Sequence, residues 1–503
     1  MRATLQVLVL GMGLVLPLAA QPEFDRVLQS DMVLQRGVPI PIRGTAKPGS
    51  EVQLTWKGKV LKTRAGEDGV WQAELPAGKA DAQPAMLSAR DAEGEAVLEN
   101  VLVGDVWLAS GQSNMEFMVS QVRPGKEKAD WNLPQVRIMK VKYLLHTKPG
   151  SFTPQQYREA EKKGFFSFRW QTMDDTTVRD FSAVAAYFAR RVQRETGVPL
   201  GIICNALGGT GMESWTPASV IDTAPVYSSI RGDGWQSSPD FDAWMRGRVK
   251  ENLRRVVADG VQNPVHPFAP AMLYDSALEP LALMPVKGVL WYQGESNADD
   301  PDLQRNAMKL RLMIGAWRRL FRNEKLPFFL VQLPRIADPK RPHWGAFRRA
   351  QAQVAAADPA VDLICTVDLG STDANVHPPL KEPVGLRLAD LVLGRVYGKE
   401  MPQYPRVTGS RREGAHVVVQ FSEPLKTADG KAPRGFETAQ SADGPFAPAE
   451  ADLRGNRVLL PASGGVFWRY NEGTALDPNL VSKKSALPAF PACGAPSVKP
   501  GNE

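Results

Sequence analysis

The sequence predicts an α/β fold built on a parallel sheet, with a smaller β segment at each end. Two observations predict it. Between about residues 101 and 400, apolar runs of strand length alternate with segments carrying apolar residues at three- and four-residue spacing. Such alternation gives βαβ units, whose parallel strands are buried on both faces. Outside that region the chain shows only short alternating runs between Gly and Pro turns, the signature of antiparallel β structure.

In chain order, Arg2 precedes an apolar run from Leu5 to Leu18, and Ala19-Ala20 follow. This is the pattern of a secretory signal peptide over residues 1–20, so a secreted or periplasmic protein is expected. Residues 21–100 read as an N-terminal β domain, with V-Q-L-T-W at 52–56, V-W-Q-A-E-L at 70–75 and A-V-L-E-N-V-L-V at 96–103. In the α/β region, residues 101–400, strands are expected at 106–109, 136–141, 200–206, 286–292, 328–333 and 361–367. Helices are expected at Ala183–Glu195, Phe241–Val257, Leu303–Phe321, Trp344–Ala356 and Val384–Val396. A C-terminal β domain over 401–491 and a disordered tail over 492–503 complete the organisation.

The 503 residues carry 61 Lys and Arg against 54 Asp and Glu, a net charge of +7 without a basic stripe. No nucleic-acid partner is expected from that distribution. No later segment is apolar enough to span a bilayer, so no membrane insertion is expected once the signal is removed. The three cysteines, Cys204, Cys365 and Cys493, form neither a disulfide framework nor a zinc site. A Cys204–Cys365 bridge between neighbouring strands stays open.

Four polar or glycine-rich clusters lie at the ends of predicted strands: G-Q-S-N at 111–114, G-G-T-G-M-E-S-W at 208–215, Y-Q-G-E-S-N at 292–297 and S-T-D-A-N-V-H-P-P at 371–379. Ligands of open α/β sheets bind at the carboxyl ends of the strands, so the clusters are expected to converge. Ser113, presented at a Gly turn after a buried strand, is the candidate nucleophile. Of five histidines, His377 is the best base, pinned by Pro378-Pro379 ahead of a helix. The oxyanion of acyl transfer needs donors. Ser113 N–H, the Gly208-Gly209 turn and the Gln293 amide are the candidates. Gln112, Asn114, Glu295 and Asn297 are candidate substrate contacts.

G-D-V-W-L-A-S-G-Q-S-N-M-E, I-I-C-N-A-L-G-G-T-G-M-E-S-W-T, K-G-V-L-W-Y-Q-G-E-S-N-A and V-H-P-P-L-K-E-P-V-G-L-R-L-A, in that order, resemble the sialate O-acetylesterase family of SGNH hydrolases. So do M-V-L-Q-R at 32–36, D-F-S-A-V-A-A-Y-F-A-R at 180–190, R-R-A-Q at 348–351 and K-S-A-L-P-A-F-P at 484–491. The resemblance implies a flavodoxin-like three-layer α/β/α domain with flanking β-sandwich-like segments. It also implies a serine esterase that removes O-acetyl groups from carbohydrate without cofactor or metal, with Ser113 as nucleophile and His377 as base. The sequence departs from the family at one point. Relatives commonly carry Asp two residues before the His, where this chain has Asn375. Asp373 is therefore expected as the acid, with Asp368 or a Ser–His dyad as alternatives. Two rival readings follow: a carbohydrate-binding protein that has lost catalysis, and a glycosidase pairing Glu295 with Asp275 or Glu279.

Overall fold

The computed structural model describes residues 21–122, 130–473 and 477–496. The expected signal peptide lies outside them. Seven strands form the central sheet: β1 (Glu95–Gly111), β2 (Leu133–Lys140), β3 (Trp170–Met173), β4 (Leu200–Ala206), β5 (Gly288–Tyr292), β6 (Phe328–Val331) and β7 (Val361–Ile364). Their spatial order is β3-β2-β4-β1-β5-β6-β7. Only β3 runs antiparallel to its neighbour; β2, β4, β1, β5, β6 and β7 are parallel. The six parallel strands fall where the apolar runs predicted them. β3 was not anticipated.

β1 is the axis of the molecule. Its first six residues alternate between exposed and half-buried, and its last eleven are buried without exception. The first part pairs antiparallel with Asp81–Arg90, while the second lies between β4 and β5. One strand thus passes from the N-terminal β segment into the α/β sheet. Val33–Gln35, within the M-V-L-Q-R motif, also pairs with β1. Arg36 then makes a bidentate ion pair with the buried Asp105 of β1, at 2.9 and 2.8 Å, and the Tyr397 hydroxyl donates to the same carboxylate at 2.8 Å. A buried carboxylate is stable only with this kind of satisfaction.

Five long helices accompany the sheet: α1 (Ala183–Thr196), α2 (Ala243–Ala258), α3 (Leu303–Leu320), α4 (Trp344–Ala357) and α5 (Glu382–Tyr397). α1 starts where Ser182 Oγ accepts from Ala185 N, and it stops at Gly197 in the left-handed conformation. It packs against α5, and α3 packs against α4. Beside the sheet lies a second core containing Phe152, Tyr157, Tyr227, Phe241, Met245 and Phe268. It carries α2 to the edge of the candidate site.

Two four-stranded antiparallel sheets make up most of the C-terminal segment and share a core around Val417, Phe421, Phe436 and Trp468. Ala492–Gly494 forms a strand paired with Phe467–Tyr470. The expected disordered tail is therefore incorrect at these residues, because their backbone groups complete a sheet edge. Cys204 and Cys365 are both buried and free, so no bridge joins them.

Candidate active site

Gly111, the last residue of β1, has φ +135°, and a Cβ there would meet the Tyr292 carbonyl oxygen at 2.1 Å. Only glycine permits this close crossing of β1 and β5. The chain then turns, with Gln112 N donating to Tyr292 O at 3.0 Å, and Ser113 opens a single helical turn, Ser113–Glu116. Ser113 Oγ lies 2.7 Å from His377 Nε2. The imidazole comes from the loop between β7 and α5. Burial, followed by the positive charge of Lys381, holds the His377 pKa below the ordinary histidine value. The ring is therefore neutral at pH 7 and able to accept the hydroxyl proton.

Ser113 and His377 open onto a cleft of about 540 Å³ that Gln112, Gly208, Gly209 and Glu295 also line. A Cβ on Gly208 would sit 3.3 Å from both the Ser113 Cβ and Glu116 Oε2, so a larger residue there would press on the serine turn. The two amides of this turn are not equivalent. Gly208 N donates to Glu116 Oε2 at 2.8 Å, which takes it out of the expected oxyanion hole. The N–H groups of Ser113 and Gly209 have no acceptor among the described residues.

The expectation for Gln293 is also incorrect. Its side chain is fully buried, and its amide donates to Thr210 O at 3.1 Å and to Asn297 Oδ1 at 2.7 Å. Asn297, expected at the substrate, instead donates to both oxygens of Glu213 at 3.1 Å. Glu213 in turn pairs with Lys309 at 2.8 Å, both buried. Glu213, Asn297 and Lys309 also line a second cavity of about 470 Å³, which shares Asp242, Ser296 and Asp299 with the cleft. Asn114 is fully buried too, and it donates to Val376 O at 2.8 Å and to Glu295 while accepting from Lys381. Gln112 Oε1 accepts from Gly294 N and Ser296 N at 3.2 and 3.4 Å, tying the first motif to the third.

No candidate acid reaches the imidazole. The Asp373 carboxylate accepts from Ser371 Oγ and, at 2.9 Å, from Asn375 N. Asn375 Oδ1 accepts from His377 N at 2.9 Å, which is a turn contact and not a ring contact. Asp368 is bound by Arg387 at 2.7 and 2.6 Å. Among the described residues, none hydrogen-bonds His377 Nδ1. The glycosidase pairing fails as well, since Asp275 and Glu279 line a separate cavity beside Pro217 and Arg319.

Sequence reasoning passed over several residues that line the cleft or lie against it. Trp244, at the start of α2, lines the cleft and is 54 % exposed. Glu116 and Arg341 line it as well. Lys381 is buried beside His377, with its Nζ 4.8 Å from the centre of the Phe117 ring. Lys381 stood inside the H-P-P-L-K motif without a role. Trp244 had no local signal, because only the second core brings α2 to the cleft.

A serine hydroxyl bonded to a neutral imidazole at the carboxyl edge of a parallel sheet is an arrangement able to carry acyl transfer. Residues 264–393 match the family described as carbohydrate esterase, sialic acid-specific acetylesterase. The chain is similar to the sialate O-acetylesterase of Rattus norvegicus, at 29 % identity over 323 residues, covering 58 % of this chain and 56 % of that protein. It is 27 % identical to the Homo sapiens sialate O-acetylesterase over 358 residues, 64 % of this chain and 61 % of that protein. The chain thus spans between 56 % and 61 % of these two relatives' length. A solved carbohydrate acetylesterase from Xanthomonas citri superposes with a TM-score of 0.76 at 28 % identity, covering 94 % of this chain and 99 % of that one. The resemblance to the sialate O-acetylesterase family read from the motifs therefore holds, and these relatives are carboxylic ester hydrolases.

Proposed function

We propose that this chain is a serine esterase that removes O-acetyl groups from carbohydrate. The 2.7 Å contact between Ser113 Oγ and His377 Nε2 carries the reading. Ser113 attacks the acetyl carbonyl carbon as Nε2 takes its proton. The oxygen that becomes negative faces the free N–H groups of Ser113 and Gly209. The imidazolium then protonates the departing sugar oxygen, leaving an acetyl group on Ser113. Water, deprotonated by the same nitrogen, attacks that ester and releases acetate. No step calls on a cofactor.

The similarity to named carbohydrate acetylesterases supports the substrate class. So does Trp244, whose exposed indole offers a flat apolar surface on which a sugar ring can stack. Within that class the acetyl group sits on a sialic acid or a polysaccharide. We read the two helix pairs as covering the sheet in the three-layer SGNH arrangement. We also infer export, from the Arg2-to-Ala20 pattern.

The test is Ser113→Ala and His377→Ala, assayed by acetate release from an aryl acetate and from acetylated sugars. Each is expected to lower kcat by on the order of 10⁴-fold or more with the melting temperature unchanged. Wild-type turnover by Ser113→Ala removes the reading.

A further inference from the structure

Among the described residues no acid sits on His377 Nδ1, yet the ring is aimed at Ser113. Its backbone is where the restraint lies. The carbonyl of Val376, the residue before it, accepts from Asn114 Nδ2 at 2.8 Å. The second Nδ2 hydrogen goes to Glu295 Oε1, and Oδ1 accepts from Lys381 Nζ. These partners leave the amide one orientation. A carbonyl and a carboxylate accept, so they need the NH₂; an ammonium donates, so it needs the oxygen. Asn114 and Lys381 are fully buried and Glu295 is 4 % exposed. One amide therefore joins the serine turn, the histidine loop, the loop after β5 and the residue that precedes α5.

We propose that Asn114, Lys381 and Glu295 are positioning residues that take over the orienting part of the missing acid's role, locking the His377 loop through the Val376 carbonyl, while the Lys381 charge, unlike a carboxylate, opposes imidazolium. This rests on Ser113 and His377 acting as nucleophile and base. A carboxylate on Nδ1 would fix the ring directly; here the backbone is fixed and the ring follows. Lys381 is screened from water by the rings of Phe117 and Tyr292, whose centres lie 4.8 and 5.7 Å from Nζ. Burial pushes its pKa down to about 7 against the pull of Glu295, and burial raises Glu295. The other charges near this group are Arg341, which donates to Glu295 O at 3.0 Å, and Glu116 and Lys148 on the cleft wall.

Lys381→Met and Lys381→Met/Glu295→Gln test it. Three readouts serve: kcat and KM on an aryl acetate, the pH profile of kcat/KM, and NMR titration of the His377 ring. In Lys381→Met, kcat is expected to fall by on the order of 10²-fold, the scale of a misplaced reacting group, with KM within about twofold. The acid limb and the ring titration move up toward the ordinary histidine value, because the cation that opposes imidazolium is gone. The double variant, with no buried unpaired charge, recovers the melting temperature but keeps the low kcat and the raised limb. A merely structural pair would instead restore both. Unchanged kcat with an unmoved ring titration in Lys381→Met overturns the proposal. An inactive wild type overturns the esterase reading, while the ring titration still decides this one.

Discussion

Two buried Lys–Glu pairs stand at the carboxyl edge of the sheet, and they are built differently. Glu213 and Lys309 touch directly at 2.8 Å, and Asn297 donates to both carboxylate oxygens. Despite full burial, Lys309 and Asn297 hold the Glu213 pKa below the usual carboxylate range. Glu295 and Lys381 meet only through Asn114, Glu295 Oε2 is buried without a partner, and both pKa values shift toward the neutral forms. Both carboxylates are buried; the direct contact of Glu213 with the Lys309 charge, reinforced by its hydrogen bonds, decides the outcome. The satisfied pair supports the loop after β4. The under-satisfied pair lies beside the imidazole, where a shift of charge is felt by the reaction.

Removing one partner of the satisfied pair breaks this comparison most severely. Lys309→Met leaves Glu213 buried with only amide donors. Unfolding free energy is expected to fall by about 3–5 kcal/mol, measured by denaturant titration. The acid limb of kcat/KM should stay in place for the fraction that remains folded. A limb that moves with Lys309 would mean that both pairs act on His377.

The motifs made much of this architecture legible. The six parallel strands and five helices follow from apolar periodicity, because a sheet buried on both faces leaves few polar positions in its strands. Ser113 and His377 were legible from strand-end chemistry. Partner choice was not. Q-G-E-S-N contributes Glu295 to the cleft but gives Gln293 and Asn297 to the Glu213 network, because the chain leaves the strand after Tyr292 and turns at Gly294, φ +149°, where strand alternation no longer sets side-chain direction. Gly208 and Gly209 are adjacent and chemically identical, and only Glu116, ninety-two residues away, distinguishes their amides. β3 was missed because W-Q-T-M carries Gln171 and Thr172 between its two buried residues, whereas β6, equally short, is the unbroken apolar run F-F-L-V.

The exposed and buried aromatic residues around the cleft sharpen the comparison further. Half-buried Phe117 and fully buried Tyr292 lie over Lys381, whereas Trp244 is exposed on the cleft wall. Trp244→Ala is expected to raise KM for an acetylated sugar by about fivefold, the value of one lost aromatic stacking contact of ~1 kcal/mol. On vinyl acetate, which has no ring to stack, the change should be small. Equal effects on both substrates would mean that Trp244 shapes the Gly209 turn and does not hold sugar.

The smallest expected effect is the most discriminating. In a triad that depends on its carboxylate, amide replacement of the acid costs about 10⁴ in rate. The Asp373 side chain is exposed, and its pKa is lowered first by Ser371 and then by Asn375 N, both contacts within its own loop. Asp373→Asn keeps an oxygen for those contacts and removes only the charge. Activity is therefore expected to stay within about threefold of wild type, with the acid limb unmoved. A loss approaching the triad value would require Asp373 to swing onto Nδ1 during turnover, which would return the acid to the loop and reduce the Asn114–Lys381–Glu295 group to support. The two outcomes differ by more than a thousandfold on the same assay, so one substitution on an exposed loop separates a carboxylate triad from a dyad held by a buried amide.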